Sequence, residues 1–345
     1  MRAMVVERYG APLAMADLPT PSPGPGEVLV RVIGCGVCRS DLKVIAGVMP
    51  FSASLPLPHV PGHEIAGEIV QVGAGAQGRV GERVVVYHYW ACRTCPHCQA
   101  GEENLCTNLR GWAGFATPGG FQEYLAVPDD CVLPLPANIP PERGGPLTCA
   151  LGTAYHAVVA RAALRAGETA VVIGAGGVGL QVVQIARASG AAVLAVDVQA
   201  HRLQAAREAG AAHAFPAGGP AVAGVRDATA GRGADAVFDT VGRDASLAAA
   251  LDLVRKGGRI IEIGYTTLSK EYPALATDRL VLGQLTLLGS RYATRLELRR
   301  ALDLVARGLV HPVISGEVPL ARANDALAMV REDRVTGRVV VRVAE

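Results

Sequence analysis

Aromatic side chains are scarce in this sequence: Phe, Trp and Tyr together make up 4% of 345 residues. Neither sign of charge dominates. Lys and Arg total 33 and Asp and Glu total 31, a formal net charge of +2. A chain so close to neutral has no global pull toward nucleic acid or an anionic membrane surface. No apolar run reaches the ~20 residues that span a bilayer. The opening residues Met1-Arg2-Ala3-Met4-Val5-Val6-Glu7-Arg8 lack the apolar stretch of a signal peptide. These absences predict a cytoplasmic protein with no nucleic-acid or membrane partner. Charged residues are only 19% of the chain against 50% hydrophobic. That ratio excludes a disordered polyelectrolyte.

Glycine (41) and proline (22) are abundant, as are Ala and Val. At roughly 150 residues per domain the length predicts about two domains. Residues 1–145 alternate short apolar runs with Gly- and Pro-rich turns. Val28–Ile33, Ile65–Val72 and Arg83–Val86 read as strands, with no long amphipathic helix. From about 150 to 285 apolar strand candidates alternate with Ala-rich helix candidates, which predicts βαβ units on a parallel sheet. Beyond 286 the pattern loosens. A helix candidate at 296–306 precedes Leu320–Val330 and a terminal strand at Arg338–Val343.

Four of the eight cysteines form C-x2-C-x2-C-x7-C at Cys92, Cys95, Cys98 and Cys106. In a reducing compartment this spacing points to a metal rather than to disulfides. Zinc accepts four thiolates in a tetrahedron and would then be structural, with no open coordination position. An iron–sulfur cluster uses the same ligands, but nothing else in the chain suggests electron transfer. A second set is dispersed: Cys38, His63 with its neighbour Glu64, and Cys149. Two thiolates and one imidazole leave a fourth zinc position for water or substrate. Ligands so far apart in sequence do not establish such a site by spacing, and a buried Cys or His is commonly core.

The run Ala170-Val171-Val172-Ile173-Gly174-Ala175-Gly176-Gly177-Val178-Gly179 reads as a buried strand entering G-x-G-x-x-G. Gly174 allows the tight turn, Gly176 a close backbone approach to a pyrophosphate, and Gly179 close helix–strand packing. The following helix aims its N-terminal dipole at the phosphates. A second strand, Ala192–Val196, ends in Asp197, placed to accept from a ribose 2′-hydroxyl and to repel a 2′-phosphate. NAD(H) is therefore expected over NADP. Arg202 reads equally as an adenine-side contact or a solvated helix residue.

Together these features resemble the zinc-dependent alcohol dehydrogenases of the medium-chain dehydrogenase/reductase superfamily. Gly62-His63-Glu64-x-x-Gly67 looks like that family's zinc signature, and the cysteine lobe and fingerprint follow in the family's order. The resemblance implies an α/β protein: a GroES-like β-rich catalytic domain (1–149 and 287–345, zinc lobe about 88–110) interrupted by a doubly wound Rossmann domain (150–286). Cys38, His63 and Cys149 would hold a catalytic zinc, a second ion besides the structural one. Glu64 matches a residue that approaches the metal during ligand exchange, and Asp41 the acid that orients the zinc-bound His. Ser40 matches the hydroxyl that bonds the substrate alcohol, and Thr153 a side chain beside the nicotinamide. Arg39 and Arg338 match pyrophosphate contacts. Lys43 departs from the pattern, since many members carry a proton-relay His there. A Lys of ordinary pKa near 10.4 is a poor shuttle at neutral pH. The implied activity is reversible NAD-linked oxidation of a small primary or secondary alcohol by a homodimer or homotetramer, with the apolar 281–288 run suited to the subunit edge. Two alternatives are an enoyl- or acryloyl-CoA-type reductase that keeps its zinc, and a non-enzymatic NAD-binding redox sensor.

Overall fold

Val28, Val30 and Val32 are fully buried, and the strand that carries them, Glu27–Gly36, is the hub of the N-terminal half. Its period-two pattern turns these side chains to one face, where the core covers them. In this computed structural model, which describes residues 1–265 and 275–344, the chain divides into two units. The first comprises Met1–Cys149, Thr294–Ala306 and Ile314–Glu345; the second comprises Ala150–Ala293 and Arg307–Val313.

The first unit is built on a seven-stranded sheet in the order Ile314–Pro319, Arg338–Arg342, Glu27–Gly36, Glu64–Val72, Arg83–Val86, Val132–Pro134, with Tyr124–Pro128 also paired to Glu27–Gly36. All pairs are antiparallel except Ile314–Pro319 with Arg338–Arg342. A seven-residue helix, Arg39–Ile45, follows the hub strand directly. It is too short to show as an amphipathic period in the sequence.

The second unit has six parallel strands in the order His213–Pro216, Ala192–Asp197, Thr169–Ile173, Ala234–Asp239, Val254–Glu262, Thr286–Gly289. Helices Gly177–Ala188, Ala200–Glu208, Gly219–Ala228 and Asp244–Leu253 connect them. Val171, Ile173, Leu194, Val196, Val237 and Ile260 bury one face of the sheet. Strand order reverses between Thr169–Ile173 and Ala234–Asp239, which is where such sheets bind ligands at their C-terminal edge. The 281–288 run is divided: helix Thr277–Gly283 takes its first part and edge strand Thr286–Gly289 its last. A domain boundary at 286/287 would cut that strand. Gln184 on the first helix grips His311, donating to its carbonyl and accepting from its amide, each at 3.0 Å. This clamp groups Arg307–Val313 with the second unit.

Candidate active site

The end of the hub strand and the start of Glu64–Val72 meet through the antiparallel pair Gly36–Glu64. Cys38, two residues past the strand, therefore stands beside His63 and Glu64. Cys149 comes from the π-wound turn Leu147–Leu151, a local irregularity often found at functional positions. The ligand atoms of Cys38, His63, Glu64 and Cys149 all lie within 4.8 Å of one another.

Asp41, fully buried, organises this cluster. Its Oδ1 lies 2.9 Å from His63 Nδ1, and its Oδ2 accepts the Cys38 amide at 2.8 Å. With Nδ1 engaged, Nε2 is the ring atom left for a metal. The Cys38 thiol is driven well below its ordinary pKa, first by the hydrogen bond with Cys149, and Cys149 is raised by the same contact. One proton serves two sulfurs, and a divalent cation would displace it. Two thiols and an imidazole form a borderline-soft donor set with an orienting carboxylate behind the ring, which fits zinc.

Arg338, matched in sequence to a pyrophosphate contact, is buried beside this cluster. Its Nε donates to Glu64 Oε1 at 2.9 Å and Oε2 at 3.2 Å, and a terminal nitrogen lies 3.6 Å from Cys38 Sγ. Burial pushes the Glu64 carboxyl up to about 7, with Arg338 opposing that rise. Arg39 pairs with Asp333. Ser40 opens helix Arg39–Ile45, half-buried, and Lys43 sits one turn later with its pKa lowered by burial.

The other side of the cluster is aromatic. The His63 ring packs 4.6 Å from Phe115 and 5.2 Å from His88, and Phe115 stacks on Trp112 at 4.3 Å. Phe51, 5.4 Å from Trp112, and the buried Val44 and Met49 extend this apolar wall. His88 is not singled out by the sequence. The available signal was a histidine inside the aromatic run Tyr87-His88-Tyr89 just ahead of the zinc-lobe cysteines.

In the lobe, Cys92 Sγ lies 3.8 Å from Cys98 and 3.5 Å from Cys106, and Cys95 lies 3.9 Å from Cys106. Four thiolates about 2.3 Å from one zinc stand about 3.8 Å apart, so these sulfurs already have the spacing of a filled tetrahedron. Amides of Thr94 and Cys95 donate to Cys92 Sγ. Hydrogen bonds from Thr94 lead in lowering the Cys92 thiol to about 5.

In the second unit the fingerprint glycines have separate reasons. Gly174 has φ +88°, and a Cβ there would meet Thr240 Oγ1 at 2.6 Å. A Cβ on Gly179 would sit 1.8 Å from the Gly174 carbonyl. Gly176 is different: its Cβ would meet no atom within 4 Å. The protein itself does not require glycine there, whereas a phosphate resting on the backbone does. Gly177 and Val178 form the first helical turn behind it. Asp197, at the end of Ala192–Asp197, accepts from Ala175 N at 2.7 Å and Gln199 N at 2.9 Å. It thus braces the fingerprint loop from the strand end. Arg202 lies half-buried on Ala200–Glu208, and Thr153 on the short helix Gly152–Tyr155. The cradle fits a dinucleotide.

Residues 24–137 match the family model described as the alcohol dehydrogenase GroES-like domain, and residues 177–307 match the zinc-binding dehydrogenase model. An alcohol dehydrogenase of Geobacillus stearothermophilus is 35% identical over 346 residues, covering 99% of this chain and all of that protein. The chain belongs to the zinc-dependent alcohol dehydrogenase family. Another member, an NAD-dependent alcohol dehydrogenase of Sulfolobus acidocaldarius, is 35% identical over 349 residues, covering 99% of this chain and all of the relative. A crystal structure of an NAD-dependent alcohol dehydrogenase superposes with a TM-score of 0.93 at 33% identity, over the whole of both chains. The family architecture, a GroES-like domain with a Rossmann domain, is that of the two units described above.

Proposed function

We propose that this chain is a zinc-dependent alcohol dehydrogenase that interconverts a primary or secondary alcohol and its aldehyde or ketone with NAD(H). The convergence of Cys38, His63, Glu64 and Cys149 on one point carries this reading. Zinc supplies a Lewis acid that acidifies an alcohol hydroxyl or polarises a carbonyl, and NAD(H) supplies the hydride acceptor or donor.

The chain's own residues position and relay. Cys38, His63 and Cys149 are the proposed permanent zinc ligands, with Glu64 held in reserve by Arg338. Asp41 fixes the His63 ring. Ser40, at the start of its helix, would take the substrate hydroxyl proton while its own passes to solvent water. Phe115, Trp112 and Phe51 exclude water from the reacting centre. The bare cradle over Gly176 takes the pyrophosphate, Asp197 the adenosine ribose, and Thr153 flanks the nicotinamide.

The edge strand Thr286–Gly289 and the exposed Val281 and Leu282 before it support pairing with a second copy, giving a homodimer or homotetramer. The grouping of Cys92, Cys95, Cys98 and Cys106, and of Cys38 and Cys149, into clusters that suit a metal supports a reducing, cytoplasmic setting. Among the described residues no helix is long and apolar enough to cross a membrane.

The test is NADH oxidation with a panel of aldehydes and ketones beside enoyl thioesters. Turnover of carbonyls is expected. Turnover of the thioesters alone would replace this reading with a reductase, and binding of NADH without turnover of either would leave a sensor.

A further inference from the structure

Two carboxyl groups outside the metal cluster lie side by side at the C-terminal edge of the parallel sheet. Asp239 and Glu262 end adjacent strands and are register partners. Parallel partners present their side chains to the same face. Asp239 is fully buried. Its Oδ1 accepts the amides of Val241 at 2.8 Å and Gly242 at 3.1 Å. Among the described residues its Oδ2 and the buried Glu262 Oε1 meet no donor. Two ionised carboxylates cannot be stable in that arrangement, but a carboxylic acid beside a carboxylate satisfies both oxygens with one proton.

The pair lies under the turn that packs on the fingerprint. Thr240 Oγ1 is within hydrogen-bond range of the Gly174 carbonyl at 2.8 Å and the Ile173 carbonyl at 3.0 Å. The Asp239 carbonyl accepts the amides of Ile263 and Gly264. Gly242 is pressed against Gly264 so closely that a Cβ on either would collide with backbone. Glu262, Asp239, the 240–242 turn and Gly174 are thus one mechanically connected series at the point where strand order reverses.

We propose that Glu262 is a positioning residue for the dinucleotide: as a neutral acid it donates to Asp239 Oδ2, and this shared proton holds the 240–242 turn against the fingerprint glycines. The inference rests on the NAD reading above. Burial, then the Asp239 charge and the hydrogen bond to it, push the Glu262 carboxyl up to about 8. Among the described residues, the charged groups on the packed elements are Asp235 on the 234–239 strand that carries Asp239, Arg243, Asp244 and Asp252 of the 244–253 helix and its cap, Asp278 and Arg279 of the 277–283 helix, and Arg255, Lys256 and Arg259 of the Glu262 strand itself. Arg279 is held by Asp252, Arg255 by Asp235 and Arg259 by Glu168. None contributes to the Glu262 shift, and strand Thr286–Gly289 carries no charge. Among the described residues no cation therefore replaces the proton when it leaves.

The test is NADH affinity, followed by fluorescence from pH 6 to pH 10, in the wild type and in Glu262→Gln. The amide donates the same hydrogen bond with no proton to lose. The wild type is expected to lose affinity relative to Glu262→Gln above about pH 8, by up to about tenfold per pH unit. Effects of ionisation at the metal centre occur in both proteins and cancel in the ratio. Parallel profiles with tight binding would overturn the proposal and leave the NAD reading intact, whereas a wild type that binds no NADH at any pH would overturn both. Should Glu262→Gln fail to fold, calorimetry of the wild type near pH 9 in two buffers decides. Proton uptake on NADH binding is expected in the wild type and equally in Cys38→Ser, which lacks the proposed metal centre but keeps Glu262 and Asp239, and absence of uptake in Cys38→Ser overturns the proposal.

Discussion

Asp41 holds His63 by one carboxylate oxygen, 2.9 Å from Nδ1, while its other oxygen fixes the backbone at Cys38. One buried acid thus sets the direction of two proposed metal ligands that lie 25 residues apart in sequence. Asp41→Asn replaces a charged acceptor with an amide and weakens both constraints. Loss of such an orienting carboxylate typically costs about 10- to 100-fold in metal affinity. Competition with a chromogenic chelator should show faster zinc loss from Asp41→Asn with an unchanged circular dichroism spectrum; equal retention would remove Asp41 from this role.

The cysteine lobe makes a different prediction. Cys95 is expected to contribute to stability rather than chemistry, because four thiolates leave no position for substrate. Cys95→Ser should lower the melting temperature by on the order of 5 °C or more, an estimate from the few degrees per kcal/mol typical of this size. Residual activity should survive at low temperature. An unchanged melting curve would contradict a metal bound there.

The fingerprint glycines separate folding from binding. Gly179→Ala drives a Cβ into the Gly174 carbonyl and should cost about 1–3 kcal/mol of stability, as overpacking does. Gly176→Ala meets no protein atom at a backbone φ of −83° that alanine adopts readily. It should melt as the wild type does and lose roughly tenfold or more in NADH affinity, equivalent to about 1.4 kcal/mol. Normal NADH affinity in Gly176→Ala would mean that no phosphate rests on that backbone.

Glu262 also predicts a pH dependence of stability. Its folded pKa is raised to about 8, above the ordinary ~4.3 of an unfolded Glu. Between those values the unfolded chain has lost the proton and the folded one keeps it, so this group's contribution falls as pH rises and levels off above about 8. Glu262→Gln should therefore gain stability relative to the wild type from pH 5 to pH 8, with a constant gap beyond. Denaturant melts at several pH values read this directly, and a gap independent of pH would refute a shared proton.

Local features were legible in the sequence, and long-range ones were not. Cys92, Cys95, Cys98 and Cys106 lie within one short loop, so their spacing alone pointed to a common centre. The strand, glycines and acid of residues 170–197 are likewise consecutive, and alternation of apolar strands with Ala-rich helices revealed the parallel sheet. Cys38, His63 and Cys149 meet only because the Glu27–Gly36 and Glu64–Val72 strands pair and a π-wound turn approaches them. Periodicity cannot show this, and it took the family signature to group them. The pairing of the Arg338 guanidinium with Glu64 was not legible either, because a side chain's partners depend on which charges tertiary packing places nearby. His88 and Glu262 went unread for the same reason, since each acquires its setting from a neighbouring segment rather than from its own.

The central claim is that Cys38, His63 and Cys149 hold one zinc on which alcohol turnover depends. Zinc content per chain, measured alongside NADH formation in wild type and Cys38→Ser, tests it most directly. Two zinc ions are expected in the wild type, one in Cys38→Ser, and loss of turnover with the missing ion. Two ions retained in Cys38→Ser, or turnover that survives the loss of one, would contradict it.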